Sequence, residues 1–301
     1  MKSFNLKDLA SKQAHALLLG AVGPRPIAFA STVSPQGERN LSPFSYFNVF
    51  SSNPPILIFS PSRRVRNNTT KDTLHNAEAT QEVVINIVNY RIVQQMSLAS
   101  TEYDSNVDEF IKSGLTPLDS DLVQPARVKE APVQFECKVN DIIALGEKGG
   151  AGNLIISEVL RMHVQDDLML PEDRGLDMQK IDLVGRMGGN WYCRATGEAL
   201  FEVAKPLANK GIGVDQIPKR IRESVYLTGN DLGKLGNVEA LPSEAELEEF
   251  NQHWRIREIY DNSADGWEAR EKLHQFAHEL LEQEKVGKAW KTLLVDKLNR
   301  S

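Results

Sequence analysis

The sequence predicts a mainly antiparallel β-barrel with short helices, followed by a helical C-terminal extension. Three observations carry that expectation. Short apolar runs alternate with turn residues at hairpin-like spacing, which favours antiparallel pairing over βαβ units. No Gly-x-Gly-x-x-Gly follows a strand and opens a helix: Gly150-Ala151-Gly152 runs on into Asn153-Leu154-Ile155, so no Rossmann domain is expected. From about residue 240 the apolar residues fall at helical spacing instead.

In chain order, Pro26–Val33 reads as a strand and Ser34-Pro35-Gln36-Gly37 as a type I turn, with Pro second and Gly fourth. A second strand is expected over Ser45–Phe50, and after the break at Asn53-Pro54-Pro55 a compact apolar strand over Ile56–Ser60. Thr73–Thr80 suggests a short helix, Val83–Val88 a buried strand and Arg91–Ser100 another helix. Two longer strands, around Val133–Leu145 and Asn153–Val164, flank the tract Gly149-Gly150-Ala151-Gly152, read as a flexible connection. Many short strands with few helices fit a closed or nearly closed barrel. In the tail, Ser243 to Glu246 forms a capping box, with Leu247, Phe250 and Trp254 following at helical spacing. Asp265 can cap a last helix bearing Leu273, Phe276, Ala277, Leu280 and Leu281, its stripe continuing through Trp290, Leu293, Leu294 and Leu298. The expected organisation is a barrel domain over 1–200, an extended connecting segment over 201–240 and a helical arm over 241–301.

Composition excludes several classes. Hydrophobic residues at 41% suffice for a proper core. A net charge of −6 argues against bulk nucleic-acid binding, which needs a basic face. The run from Ala14 to Val22 is interrupted by His15 and lacks a cleavage pattern, so no signal peptide is expected. No stretch approaches the roughly 18 apolar residues of a membrane span. The two cysteines, Cys137 and Cys193, lack metal-ligand spacing and read as reduced thiols of a cytoplasmic protein. His274 and His278 stand four apart on a helix without a general-base glutamate in the needed place, so no metal site is expected. The absence of Gly-x-Ser-x-Gly leaves a serine hydrolase without support.

The chemistry concentrates in Ser60–Thr73, where Arg63, Arg64, Arg66 and Lys71 stand among five hydroxyl residues between a strand and a helix start. Asp72 or Thr73 can serve as N-cap, leaving free N–H groups in the first turn. Such a terminus with adjacent cations suits a phosphate; the alternative is a solvated loop. Ser31, Thr32, Ser42, Ser45 and Asn48 bring polar groups into segments that otherwise read as core strands. Buried polar groups need partners, which a ligand or neighbouring strands can provide.

The residues Gly23–Thr32 (GPRPIAFAST), Asn40–Pro55 (NLSPFSYFNVFSSNPP), Lys71-Asp72-Thr73 followed by VVINIV, and Arg186–Arg194 (RMGGNWYCR) resemble the flavin-reductase-like family. The resemblance covers about residues 20–195. It implies the FMN-binding split barrel, a homodimer and a flavin groove at the subunit interface. Carried onto this sequence, it implicates Ser31, Thr32, Ser45, Asn48, Ser60, Arg63, Lys71, Asp72 and Thr73, with Gly188, Gly189 and Tyr192 from a later segment near the site; Arg64 joins them as a candidate phosphate contact from the basic segment. The implied activity is an FMN-dependent oxidoreductase that takes hydride from transiently bound NADH or NADPH. Electrons then pass to free flavin, a small acceptor or a partner such as an oxygenase. The alternative is an FMN-holding electron carrier, similar to flavoredoxin, without nicotinamide activity of its own. The flavin carries the chemistry, so no acid–base side chain is named as catalytic.

Overall fold

The computed structural model describes residues 1–203, 206 and 210–297. The chain divides into two units, Met1–Phe201 and Glu202–Ser301. Leu298, expected on the last helical stripe, lies outside the described residues.

The first unit holds strands β1 (Ala28–Val33), β2 (Arg39–Phe44), β3 (Phe47–Ser52), β4 (Pro55–Phe59), β5 (Glu82–Ile87), β6 (Pro117–Leu118), β7 (Arg127–Val128), β8 (Val133–Ala144), β9 (Asn153–Val164), β10 (Leu183–Arg186) and β11 (Tyr192–Ala195). Its helices are α1 (Ser11–Ala21), α2 (Asp72–Thr80), α3 (Val93–Leu98) and α4 (Glu109–Ser113). Seven strands form one antiparallel sheet in the order β2-β1-β5-β8-β9-β4-β3. Its two outermost strands, β2 and β3, are joined by Ser45 and Tyr46 alone. Three Cα steps reach about 11 Å, whereas the edges of a flat seven-stranded sheet would lie about 29 Å apart. The sheet must therefore curl until its edges meet, which makes it a split barrel.

β1 is buried along its whole length. Its alternation sends Ala28 and Ala30 into one core with Phe44, Phe59, Ile85, Cys137, and Leu74 and Ala77 of α2. Ile27 and Phe29 enter a second core with Ile92, Met96 and Phe110, around α3 and α4. The sheet is thus covered on both faces. The strand expected over Ser45–Phe50 forms as β3, shifted by two residues, and a strand that was not expected, β2, precedes it. Pro43 argues against a strand, but β2 is an edge strand, where a missing N–H is tolerated. The turn 34–37 forms as expected, Gly37 donating its N–H to the Ser34 carbonyl at 2.9 Å. The glycine tract after β8 serves close approach rather than flexibility. A Cβ on Gly149 would stand 2.9 Å from Val65 Cα, and one on Gly152 2.5 Å from Ser60 Oγ.

The second unit holds α5 (Lys219–Arg222), α6 (Gly229–Gly236), α7 (Glu244–Asn251), α8 (Trp254–Asp261), α9 (Gly266–Glu282) and α10 (Val286–Leu294). The capping box at Ser243 and the cap at Asp265 form as the sequence indicates, and Thr228 with Asp231 makes a second capping box. Residues 201–240, expected as an extended connection, instead contribute α5, α6 and a turn of helix at Val214–Gln216. Ile217, Ile221 and Leu235 from that stretch share a core with Leu280, Leu281, Trp290 and Leu294. Trp290 Nε1 donates to the Leu235 carbonyl at 3.0 Å, satisfying its buried polar edge. Trp254, placed on the apolar stripe by spacing, is 67% exposed; it opens α8, whose buried face is carried by Ile256 and Ile259.

His274 on α9 is buried with Nδ1 2.7 Å from Ser224 Oγ. Burial, with Arg220 and Arg270 nearby, lowers its pKa from 6.5 to about 4. Between those values the unfolded chain binds a proton that the folded chain refuses, so stability falls as pH drops through that window. The loss approaches about 3 kcal/mol. Replacing His274 by Gln should flatten the acid limb in urea titrations of far-ultraviolet dichroism between pH 7 and 4.5. An unchanged acid slope would assign the sensitivity to other groups.

Candidate functional site

The loop after β4 returns on itself before α2. Arg63 donates from Nε to Asn68 Oδ1 at 2.9 Å and from a terminal nitrogen to the Asn68 carbonyl at 2.8 Å. Arg64, the next residue, opens a turn in which the Asn68 N–H donates to its carbonyl at 2.9 Å. It donates to Thr69 Oγ1 at 3.1 Å and to the Thr70 carbonyl, and its Nε lies 3.4 Å from Glu102 Oε1.

Helix α2 then starts at Asp72, with Lys71 as N-cap, so neither Asp72 nor Thr73 caps it as the sequence suggested. The Thr73 hydroxyl is taken instead by Asn40 Oδ1 at 2.7 Å. Among the described residues the N–H groups of Asp72 and Thr73 meet no protein acceptor, leaving an anion-ready terminus. The Lys71 ammonium lies 3.3 Å from Ser42 Oγ and 5.1 Å from the Phe44 ring centre. Among the described residues it forms no ion pair. Burial lowers its pKa below the ordinary lysine value, with Arg64 adding to the effect. Asn40, Ser42, Arg64, Lys71, Asp72 and Thr73 thus line one small pocket, which Ser100–Tyr103 and Glu109 close.

Next to it opens a cleft of about 360 Å³ lined by Ile27, Pro43, Phe44, Ser45, Met96, Ser97, Ser100, Arg186, Asn190 and Tyr192. That volume is in the range of small-molecule sites. Ser100 is common to the pocket and the cleft. The wall supplied by the β10–β11 hairpin is held by Arg25, which is buried and exchanges backbone hydrogen bonds with Arg186 at 2.8 and 2.9 Å. Its guanidinium donates to the Leu19, Val22 and Met187 carbonyls, tying the end of α1 to the hairpin. Arg186 stacks over the Tyr192 ring at 4.6 Å.

The structure therefore gathers Ser45, Arg64, Lys71, Asp72, Thr73 and Tyr192 around one continuous groove. It does not bring the others there. Ser31 is fully buried on β1. Thr32 accepts from Asn76 Nδ2 at 3.2 Å within the fold. Asn48 is exposed on β3 and Ser60 is packed against Gly152. Gly188 lies against Gly20, and the Gly189 carbonyl accepts from Arg186 at 2.7 Å. Sequence reasoning missed Arg186 and Asn190, within the very segment that drew attention to Gly188 and Tyr192. It also missed Glu102 and Glu109, which reach the pocket from about 30 residues further along the chain and leave no local signal.

A split antiparallel barrel whose small charged pocket, holding Arg64 and Lys71, shares a wall with a ligand-sized cleft has the features of a small-ligand site. The family model described as flavin reductase like domain matches residues 21–176, and an uncharacterised protein of Aquifex aeolicus is 38% identical over 200 residues, 66% of this chain and 99% of that protein. The chain belongs to the flavin-reductase-like family. Among solved structures it is similar to nitrilotriacetate monooxygenase component B from Bacillus cereus, with 32% identity, TM-score 0.63 and coverage of 67% of this chain and 98% of that one. It is also similar to the 2-nitrobenzoate 2-nitroreductase NbaA of Pseudomonas fluorescens, with 27% identity, TM-score 0.61 and coverage of 70% and 100%.

A desolvated, unpaired ammonium costs the ligand-free protein stability. Its penalty holds while Lys71 is charged, below its lowered folded-state pKa, and vanishes as pH rises toward the unfolded value of 10.5. Lys71→Met should raise the melting temperature of the ligand-free protein at pH 7 by about 2–4 °C per kcal/mol relieved. The gap should close in alkaline buffer. A lower melting temperature would make Lys71 a structural residue.

Proposed function

We propose that this chain is an FMN-binding oxidoreductase that accepts hydride from NADH or NADPH and passes the electrons to an acceptor, in a cytoplasmic setting. The observation that carries the reading is the Lys71 ammonium, half-buried and without a counter-ion among the described residues, beside Arg64 and the open N-terminus of α2. A phosphate monoester, with close to two negative charges at neutral pH, satisfies all three. The adjoining cleft, bounded by Phe44, Met96 and Tyr192, suits a planar ring. When bound, the flavin supplies the redox chemistry. The protein anchors the phosphate through Arg64 and Lys71, shields the ring with the β10–β11 hairpin and offers Ser45 and Asn190 as hydrogen-bonding groups. The likeness to an oxygenase component from Bacillus cereus favours an oxygenase or similar electron-accepting protein as partner. Among the described residues no helix is long and apolar enough to cross a membrane.

A homodimer belongs to the same reading. Edge strand β3 pairs on one side only among the described residues and carries Val49 and Phe50, each 64% exposed. Light scattering at micromolar concentration should give about twice the chain mass, and Val49→Lys with Phe50→Lys should return it to the monomer value. A native chain that holds FMN as a monomer would remove the dimer from the model.

The phosphate assignment is tested by titrating FMN and riboflavin into native protein and the Arg64→Ala/Lys71→Ala double variant. Charge-assisted contacts are worth about 1.5–3 kcal/mol each, so FMN should weaken well over tenfold and riboflavin hardly at all. Equal losses would sink the assignment. Oxidation of NADH or NADPH by the FMN-loaded protein separates an enzyme from a bare electron carrier, since a carrier would oxidise neither.

A further inference from the structure

The pocket around Lys71 encloses only about 20 Å³, space for roughly one water and too little for a phosphate. The segment between α3 and α4 bounds it on one side, where Ser100, Thr101, Glu102 and Tyr103 form part of the wall. Three carboxylates border the pocket, and their partners separate them. Glu109 is buried and accepts from the Leu41 N–H at 2.9 Å and from Asn40 Nδ2 at 3.0 Å. Asp72 accepts from Ser105 Oγ at 3.2 Å. Both are held by uncharged donors. Glu102 alone rests on cations, 3.4 Å from Arg64 Nε and 3.2 Å from a terminal nitrogen of Arg66.

We propose that residues 100–107 form an electrostatic strap in which Glu102 stands in for the phosphate on Arg64, closing the anion pocket until a phosphorylated ligand displaces it. This rests on the phosphate reading of the pocket given above.

The strap is anchored at its ends and loosely held between them. It leaves the end of α3 at Leu98 and enters α4 at Asp108, which caps that helix and pairs with Arg39 at 2.7 Å. In between, the bond from Ser105 to Asp72 ties it to α2. Glu102 and Arg66 are both well exposed, so their pairing is weak and readily exchanged. A phosphate offers Arg64 more charge and more acceptor oxygens than one carboxylate does, and it also reaches Lys71 and the α2 N–H groups, which Glu102 leaves unserved. Riboflavin has nothing with which to displace Glu102, so the strap adds discrimination for phosphorylated ligands over their dephosphorylated forms.

The test uses the full chain and the Glu102→Gln variant, titrated with FMN, riboflavin and inorganic phosphate, with hydrogen exchange followed over 100–107. Removing the competing charge should tighten FMN about fivefold, the scale of one exposed ion pair, and leave riboflavin unchanged. In the native chain FMN, and inorganic phosphate alone at higher concentration, should raise exchange over 100–107; in the variant that exchange should already be raised without ligand. Ser105→Ala, which cuts the tether while keeping Glu102, should raise exchange in the same direction. An unchanged or weaker FMN affinity in Glu102→Gln, while the native chain still prefers FMN to riboflavin, would overturn the strap alone. A native chain that binds FMN and riboflavin equally would overturn the phosphate reading, and the strap with it.

Discussion

The two-residue link between the outermost strands is the constraint on which the rest of the first unit depends. Because Ser45 and Tyr46 join β2 to β3, the seven-stranded sheet has to close on itself, and the line where its edges meet becomes a seam. Residues of the candidate site collect there. Asn40 and Ser42 of β2 serve the basic pocket, while Pro43, Phe44 and Ser45, where β2 ends, line the cleft. A fully closed barrel would have spent those backbone groups on a ladder and filled the space with side chains.

Polar residues inside the barrel act mainly by fixing helices onto this seam. Thr73 donates to Asn40, Asn40 donates to Glu109, and Glu109 also receives the N–H of Leu41. Asn76 of α2 donates to Thr32 at 3.2 Å. One connected set of bonds therefore ties α2, α4, β1 and β2 together, and it sets where Lys71 projects. Every member is buried or half-buried, so a missing partner would leave an unsatisfied group in a low-dielectric setting. Thr32 looks like a ligand-binding residue in the sequence because it is polar in apolar surroundings, and Thr73 because it closes a basic, hydroxyl-rich segment at a helix start. In the fold their polarity serves positioning.

What was legible in the sequence follows from how local each signal is. The long strands β8 and β9 match their expected spans closely, because apolar residues recur along both and glycines bound the connection between them. Helix α2 and the caps at Ser243 and Asp265 are equally local. β2 was hidden by Pro43, α1 by a surface that buries none of its residues, and β10 and β11 by their shortness. In the site, the basic segment was visible but not the division of labour within it. Arg63 and Arg64 are chemically identical neighbours, and only the fold of the turn that follows them sends one to Asn68 and the other to the pocket. Glu102 and Glu109 depend on tertiary packing of the segment after α3, which no spacing reveals.

The treatment of Lys71 shows how the fold holds a charge ready without neutralising it. A carboxylate within contact distance would have formed a structural ion pair, and a ligand would then have had to break it before binding. Instead the ammonium meets a hydroxyl at 3.3 Å and an aromatic face at 5.1 Å, both of which orient a cation, while Glu102, Glu109 and Asp72 act on it only from beyond ion-pair distance. The nearest acids are drawn off by other donors: Glu109 by a backbone N–H and an amide, Asp72 by a serine, Glu102 by Arg64 and Arg66. The cost of the arrangement is desolvation in the ligand-free state, visible as the lowered pKa of the lysine. An anion that enters the pocket recovers that cost as binding free energy, because its own charge restores what burial removed. Under the proposed phosphate reading, preorganisation of this kind would place selectivity in the ligand's charge.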